Sequence, residues 1–271
     1  MPELPEVETV KEKLKKSLLN KRIIDVKVYY DKIIANLSSL EFIKTLTNQT
    51  IKDITRKGKW IIFELDSNYL LSHLRMEGKY FIKDVTLEPI KHEHISFIFN
   101  DFSLRYMDTR KFGRMYLLPK DDILNKKPLN ELGLEPWDKN LNEEYLKIKF
   151  KNKTLPIKSL LLDQSIITGI GNIYADEILF LSRINPTRKA QKLTDIELET
   201  IISNTKKVLE SAISLGGTTI RTYESSEGVH GNFQQELFVH TKDSCKICGT
   251  KIEKIRVGGR GTYYCPKCQK E

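Results

Sequence analysis

The chain has 271 residues, long for one compact domain and sufficient for two that each bury a core. No apolar run approaches the roughly 18 residues that cross a bilayer, and the opening MPELPEVETV carries three glutamates and no basic residue, which argues against a signal or transit peptide and for a cytoplasmic protein. With 45 Lys and Arg against 36 Asp and Glu, the net charge of +9 and a pI near 9.2 favour a polyanionic partner such as nucleic acid.

In chain order, the spacing of Val7, Val10, Leu14 and Leu18 predicts a helix from Pro5 to Leu19, with Glu6 and Glu8 near its positive end. Seven short β-branched or aromatic runs follow: Ile23–Tyr30, Ile51–Arg56, Trp60–Leu65, Tyr69–Leu74, Ile95–Asn100, Phe102–Tyr106 and Gly113–Leu118. Turn residues separate them, which predicts a β-sandwich. Residues 119–140, with three prolines and Gly133, read as a linker. Helical patterns return at Leu155–Gln164, Gly171–Leu181 and Thr194–Leu215, the last opened by a Thr194/Glu197 capping box and closed by Gly216-Gly217.

All four cysteines lie near the end, as Cys245-x2-Cys248-x16-Cys265-x2-Cys268. Two CxxC knuckles at that separation suit one tetrahedral, structural zinc, whose four thiolates leave no open position. Residues 242–271 carry +5, and about +3 once four thiolates hold a zinc dication, so this ribbon stays basic.

Further segments suit DNA chemistry. Removal of Met1 exposes Pro2, a secondary amine that can attack a sugar C1′ and give a cationic iminium directly; Glu3 beside it can move protons. Arg56-Lys57-Gly58-Lys59 supplies lysines at a strand junction. Met76 and Phe112 are apolar residues among charges, suited to wedging between base pairs, and Arg110 suits an orphaned base. The alternative is that Met76 and Phe112 are core and Arg110 pairs with Asp108. Gly169, Gly171 and Asn172 open a helix where a phosphate can bind, and Gly258-Gly259-Arg260 reads as a hairpin tip aimed at DNA.

Together these segments resemble the formamidopyrimidine-DNA glycosylase family along the whole chain: PELPEVET at 2–9, RKGKW at 56–60, HLRMEGKY at 73–80, KHEH at 91–94, DTRKFG at 108–113, LLLDQ at 160–164, GIGNIYADE at 169–177, GGTTIRTY at 216–223 and GRGTYYCPKCQ at 259–269. The resemblance implies an α+β chain. A β-sandwich with a long first helix (1–130) precedes a helix–two-turns–helix module (131–237) and a four-cysteine zinc ribbon (238–271). DNA would lie in the cleft, and a loop around Arg221–Gln234 would close over the everted base. It implies Pro2 as nucleophile, Glu3 as its acid/base partner, Lys59 rather than Lys57 for β-elimination, and Arg260 for δ-elimination. His92, Arg110, Lys153 and Asn172 would contact DNA, with Lys151 and Lys158 competing with Lys153. Met76, Arg110 and Phe112 would fill the void. One structural zinc, no organic cofactor, damaged duplex DNA as partner and a monomer complete the expectation.

Three other readings compete. The sister enzyme resembling endonuclease VIII prefers oxidised pyrimidines, but PELPE, Met-Glu-Gly, Arg110-Lys111-Phe112 and GRGTYYC look more like the purine-lesion branch. A non-catalytic DNA binder would not need Pro2, Glu3, Lys59 and Arg260, and a zinc-ribbon transcription or RNA-binding module leaves the N-terminal half unexplained.

Overall fold

The computed structural model describes residues 2–121, 123–218 and 232–270. Two compact units divide them: residues 2–130 together with Thr218, and residues 131–217 together with 232–270.

The first unit opens with α1 (Leu4–Leu18) and contains α2 (Ser39–Leu46) and eight strands: β1 (Asp25–Val28), β2 (Asp53–Lys57), β3 (Trp60–Glu64), β4 (Asn68–His73), β5 (Lys79–Lys83), β6 (Glu93–Ile98), β7 (Ser103–Met107) and β8 (Arg114–Pro119). They form two antiparallel four-stranded sheets, β1-β6-β7-β5 and β2-β3-β4-β8. Ile54, Ile61, Phe63, Leu70, Tyr80, Ile95, Phe97, Leu104, Tyr106 and Met115 fill the sandwich. The predicted apolar stripe of α1 joins the same core through Val7, Val10, Leu14 and Leu18, each at most 1% exposed. Burying such side chains contributes roughly 1.5–3 kcal/mol each.

The structure adds two elements to this unit. α2 is capped by Ser38, whose hydroxyl accepts from the Glu41 N–H, and it buries only Phe42 and Leu46. β5 pairs with β7 at the sheet edge; of its residues only Tyr80 is buried, so its apolar alternation is weak.

The second unit carries α3 (Glu143–Phe150), α4 (Ile157–Leu161), α5 (Asn172–Leu181), α6 (Asp195–Ser214) and the hairpin β9 (Glu253–Val257)–β10 (Arg260–Tyr264). α6 has the expected capping box and ends at Gly216 and Gly217, both at positive φ. α4 is shorter than its apolar pattern, and α3 is an addition: half of its residues are charged and it buries just Leu146 and Phe150, one turn apart. The stretch read as linker is partly built in. Leu129 is fully buried, and Gly133 and Leu134 hydrogen-bond to Gln164 and Ile166. A Cβ on Gly133 would stand 2.2 Å from the Ile166 carbonyl oxygen, so no larger residue fits there. Among the described residues no helix is long and apolar enough to cross a membrane.

Candidate active site

In the first unit, Pro2 and Glu3 are buried at the start of α1. The Glu3 N–H donates to Glu6 Oε2 at 2.8 Å, and Glu6 Oε1 accepts from both the N–H and the hydroxyl of Thr218, at 2.9 and 3.1 Å. One carboxylate therefore fixes the chain beside Pro2.

Lys59 is 6% exposed in the two-residue turn between β2 and β3, which Gly58 enters at φ +57°. Glycine takes that backbone without strain. Arg56 donates to Glu8 Oε2 at 2.7 Å and to the Gly58 carbonyl at 2.9 Å, which ties the turn to α1. Burial alone would raise the Glu8 pKa, but hydrogen bonds and charge from Lys11 and Arg56 hold it below the usual value. Lys57 instead reaches the Leu129 carbonyl.

Met76 is half-buried in the β4–β5 turn; Arg110 and Phe112 lie exposed in the β7–β8 loop. Phe112 is 48% exposed, so it is not core. The Arg110 guanidinium sits 4.9 Å from the Phe112 ring centre, and it is the Arg110 backbone N–H that bonds Asp108 Oδ1. Asp108 organises the loop: Oδ2 accepts from the Gly113 N–H, its own N–H donates to the His92 carbonyl, and its carbonyl lies 2.7 Å from His94 Nε2. His92, at φ +71°, is thereby linked to the Arg110 loop.

In the second unit, the β9–β10 turn is Gly258-Gly259, both at positive φ, as a tight hairpin requires. Arg260 leaves that turn exposed, while the next residues of β10, Gly261, Thr262 and Tyr263, are bonded to residues of α4 and α5. Lys158, fully buried, donates to Thr262 Oγ1 at 2.8 Å and the Gly261 carbonyl at 3.2 Å, and pairs with buried Asp176 Oδ1 at 2.7 Å. Asn172, first residue of α5, donates to the Gly261 carbonyl at 2.9 Å. Burial of Lys158 in this network removes it from competition for DNA. Lys153, after α3, lies 3.6 Å from Asp163, and Lys151 is exposed. Gly169 takes φ +95° and is held by the Gln164 side chain. The Arg221–Gln234 loop falls largely on 219–231, outside the described residues.

Sequence reasoning weighed Lys158 only as a DNA contact and assigned nothing to Asp176 or Glu177. Glu177 accepts the N–H groups of Phe238, Val239 and His240; burial raises its pKa, and those bonds oppose the rise only in part. The signal available was charged residues on apolar helices, which need buried partners.

The four cysteine sulfurs lie within 4.8 Å of one another, with Cys248–Cys265 at 3.5 Å and Cys245–Cys268 at 3.9 Å. A zinc with Zn–S bonds of about 2.3 Å sets tetrahedral edges near 3.8 Å, so the donor set fits the ion.

Three family models match in succession: the formamidopyrimidine-DNA glycosylase N-terminal domain at residues 1–115, its H2TH domain at 132–224, and a zinc finger found in FPG and IleRS at 243–270. The chain is 47% identical to the formamidopyrimidine-DNA glycosylase of Oceanobacillus iheyensis, over 99% of this chain and 98% of that one, and 49% identical to that of Ligilactobacillus salivarius, over 99% of each. The chain belongs to the formamidopyrimidine-DNA glycosylase family.

Solved structures of the Lactococcus lactis family member agree. One point mutant with Fapy-dG-containing DNA has a TM-score of 0.94 at 39% identity, and the wild type with DNA containing an oxidised pyrimidine has 0.92 at 38%, each over 100% of both chains. As a family member, this chain is a DNA glycosylase of base excision repair, and its ribbon holds one structural zinc.

Proposed function

We propose that this glycosylase removes oxidised purines, 8-oxoguanine and formamidopyrimidines, from duplex DNA through a Schiff base on Pro2. After loss of Met1, the Pro2 nitrogen attacks C1′ of the everted nucleotide and the base departs with a proton. Glu3 transfers protons at the opening sugar ring, leaving a cationic iminium between Pro2 and C1′. Loss of a C2′ proton then expels the 3′ phosphate, with Lys59 serving this β-elimination; Arg260 grips phosphate for the δ-elimination that follows. His92, Arg110, Lys153 and Asn172 hold the DNA, while Met76, Arg110 and Phe112 occupy the vacated stack. Zinc shapes the ribbon; every bond change falls to side chains and the N-terminus.

The observation that carries this reading is that α1 anchors both reacting groups. Glu6 fixes the backbone beside Pro2, and Glu8, through Arg56, fixes the turn that presents Lys59. The test is borohydride trapping on duplex DNA carrying 8-oxoguanine opposite cytosine. A covalent adduct is expected from the mature protein and none from Pro2→Gly; an adduct that persists in the variant overturns the reading.

A second reading extends the substrates to oxidised pyrimidines, because the Lactococcus lactis protein was solved on such DNA. Thymine glycol in the same assay tests it, with excision expected to be slower than for 8-oxoguanine.

A further inference from the structure

Tyr106, on β7, is fully buried and packs against Tyr80, with ring centres 5.2 Å apart. The Tyr80 hydroxyl donates to Ser72 Oγ at 2.7 Å. That of Tyr106 is buried without a hydrogen-bond partner among the described residues. It lies instead against two glycines: a Cβ on Gly78 would stand 2.4 Å from Tyr106 Oη, and one on Gly113 only 1.7 Å. Gly78 closes the turn that carries Met76, and Gly113 closes the loop that carries Arg110 and Phe112. One oxygen atom thus touches both loops.

We propose that Tyr106 is a positioning residue whose hydroxyl sets the separation of these two loops, so that Met76 and the Arg110–Phe112 pair enter the base stack as one body. A buried hydroxyl without a partner lowers stability, so phenylalanine would be the more stable choice here. What phenylalanine lacks is the oxygen's width between the glycines. The inference rests on the void-filling reading of Met76, Arg110 and Phe112.

The test measures base eversion by the full-length, zinc-loaded protein, using 2-aminopurine fluorescence next to 8-oxoguanine in a duplex, alongside thermal unfolding. Tyr106→Phe is expected to melt at or above the parent temperature yet evert the base more slowly, on the order of tenfold, as misplacement by a fraction of an ångström does to a reacting geometry. Parental eversion in Tyr106→Phe, when Met76→Ala and Phe112→Ala slow it, overturns the proposal alone. A fall in melting temperature, or failure to fold, overturns it too, by making the hydroxyl structural. Unaltered eversion in Met76→Ala and Phe112→Ala would instead remove the void-filling reading, and this inference with it.

Discussion

His73 carries a pH dependence that follows from where it sits. It is 9% exposed, edge-on to Trp60 at 4.8 Å, and its Nδ1 accepts the Arg75 N–H. Burial first, then the cations of Arg75 and Lys59, lower its pKa to about 3, so it stays neutral beside the lysine turn. The unfolded chain takes up this proton near pH 6.5 and the folded one near 3. The stability tied to neutral His73 is thus fully present above pH 6.5 and lost as pH falls toward 3, at up to about 1.4 kcal/mol per pH unit. Denaturant unfolding at pH 7.5 and 4.5 is expected to show a smaller difference for His73→Asn than for the parent; equal differences would contradict the assignment. Lys158 makes a second case. Lys158→Met takes the ammonium from Asp176 Oδ1 and leaves that carboxylate only His240 Nδ1 at 2.7 Å and the Tyr263 N–H at 3.2 Å, both on Oδ2. The loss is expected to stay below the roughly 3–5 kcal/mol of a fully unpaired buried charge, and Lys158→Met with Asp176→Asn should recover part of it in urea titrations.

At the scale of elements, the β9–β10 hairpin shows how an exposed arginine is aimed. Thr262 Oγ1 donates to the Arg260 carbonyl at 3.0 Å and accepts from Lys158, and Asn172 grips Gly261. A Cβ on Gly258 would meet Ser159 Oγ at 2.6 Å, so the tip rests on α4. If Arg260 neutralises one phosphate, Arg260→Ala should weaken duplex binding and lower the slope of log affinity against log salt by about 1. An unchanged slope would take Arg260 off the phosphate. The elements absent from the sequence reading have a common cause. α2, β5 and α3 each bury only one or two side chains, so their periodicity is faint even where a cap such as Ser38 was legible.

For the whole molecule, the β-sandwich and the zinc ribbon rely on different forces. The first has the large sandwich core, whereas the ribbon's apolar cluster is small: Phe180, Val239, Ile252 and two of the cysteines are its buried members. Such a ribbon depends on its metal. Chelating the zinc, or replacing Cys265 by Ser, is expected to abolish amide protection across 243–270 and with it tight DNA binding, while the sandwich strands keep theirs in hydrogen exchange. Protection that survives metal removal would show that the ribbon folds without zinc.

The sequence by itself determined the family, the sandwich followed by helices and a ribbon, and the identity of the zinc ligands. The family follows from the ordered set of motifs it resembles; the layout and the ligands follow from local spacing, namely alternation in strands, the stripe of α1 and the paired CxxC knuckles, which contacts between distant residues do not rewrite. The tertiary structure alone decided that Lys158 is buried with Asp176, that Asp108 links the His92 and Arg110 segments, and that Tyr106 lies beneath two glycines 35 positions apart. A buried charge or an unbonded hydroxyl takes its meaning from partners far along the chain, and no pattern in one segment encodes which partners folding will supply.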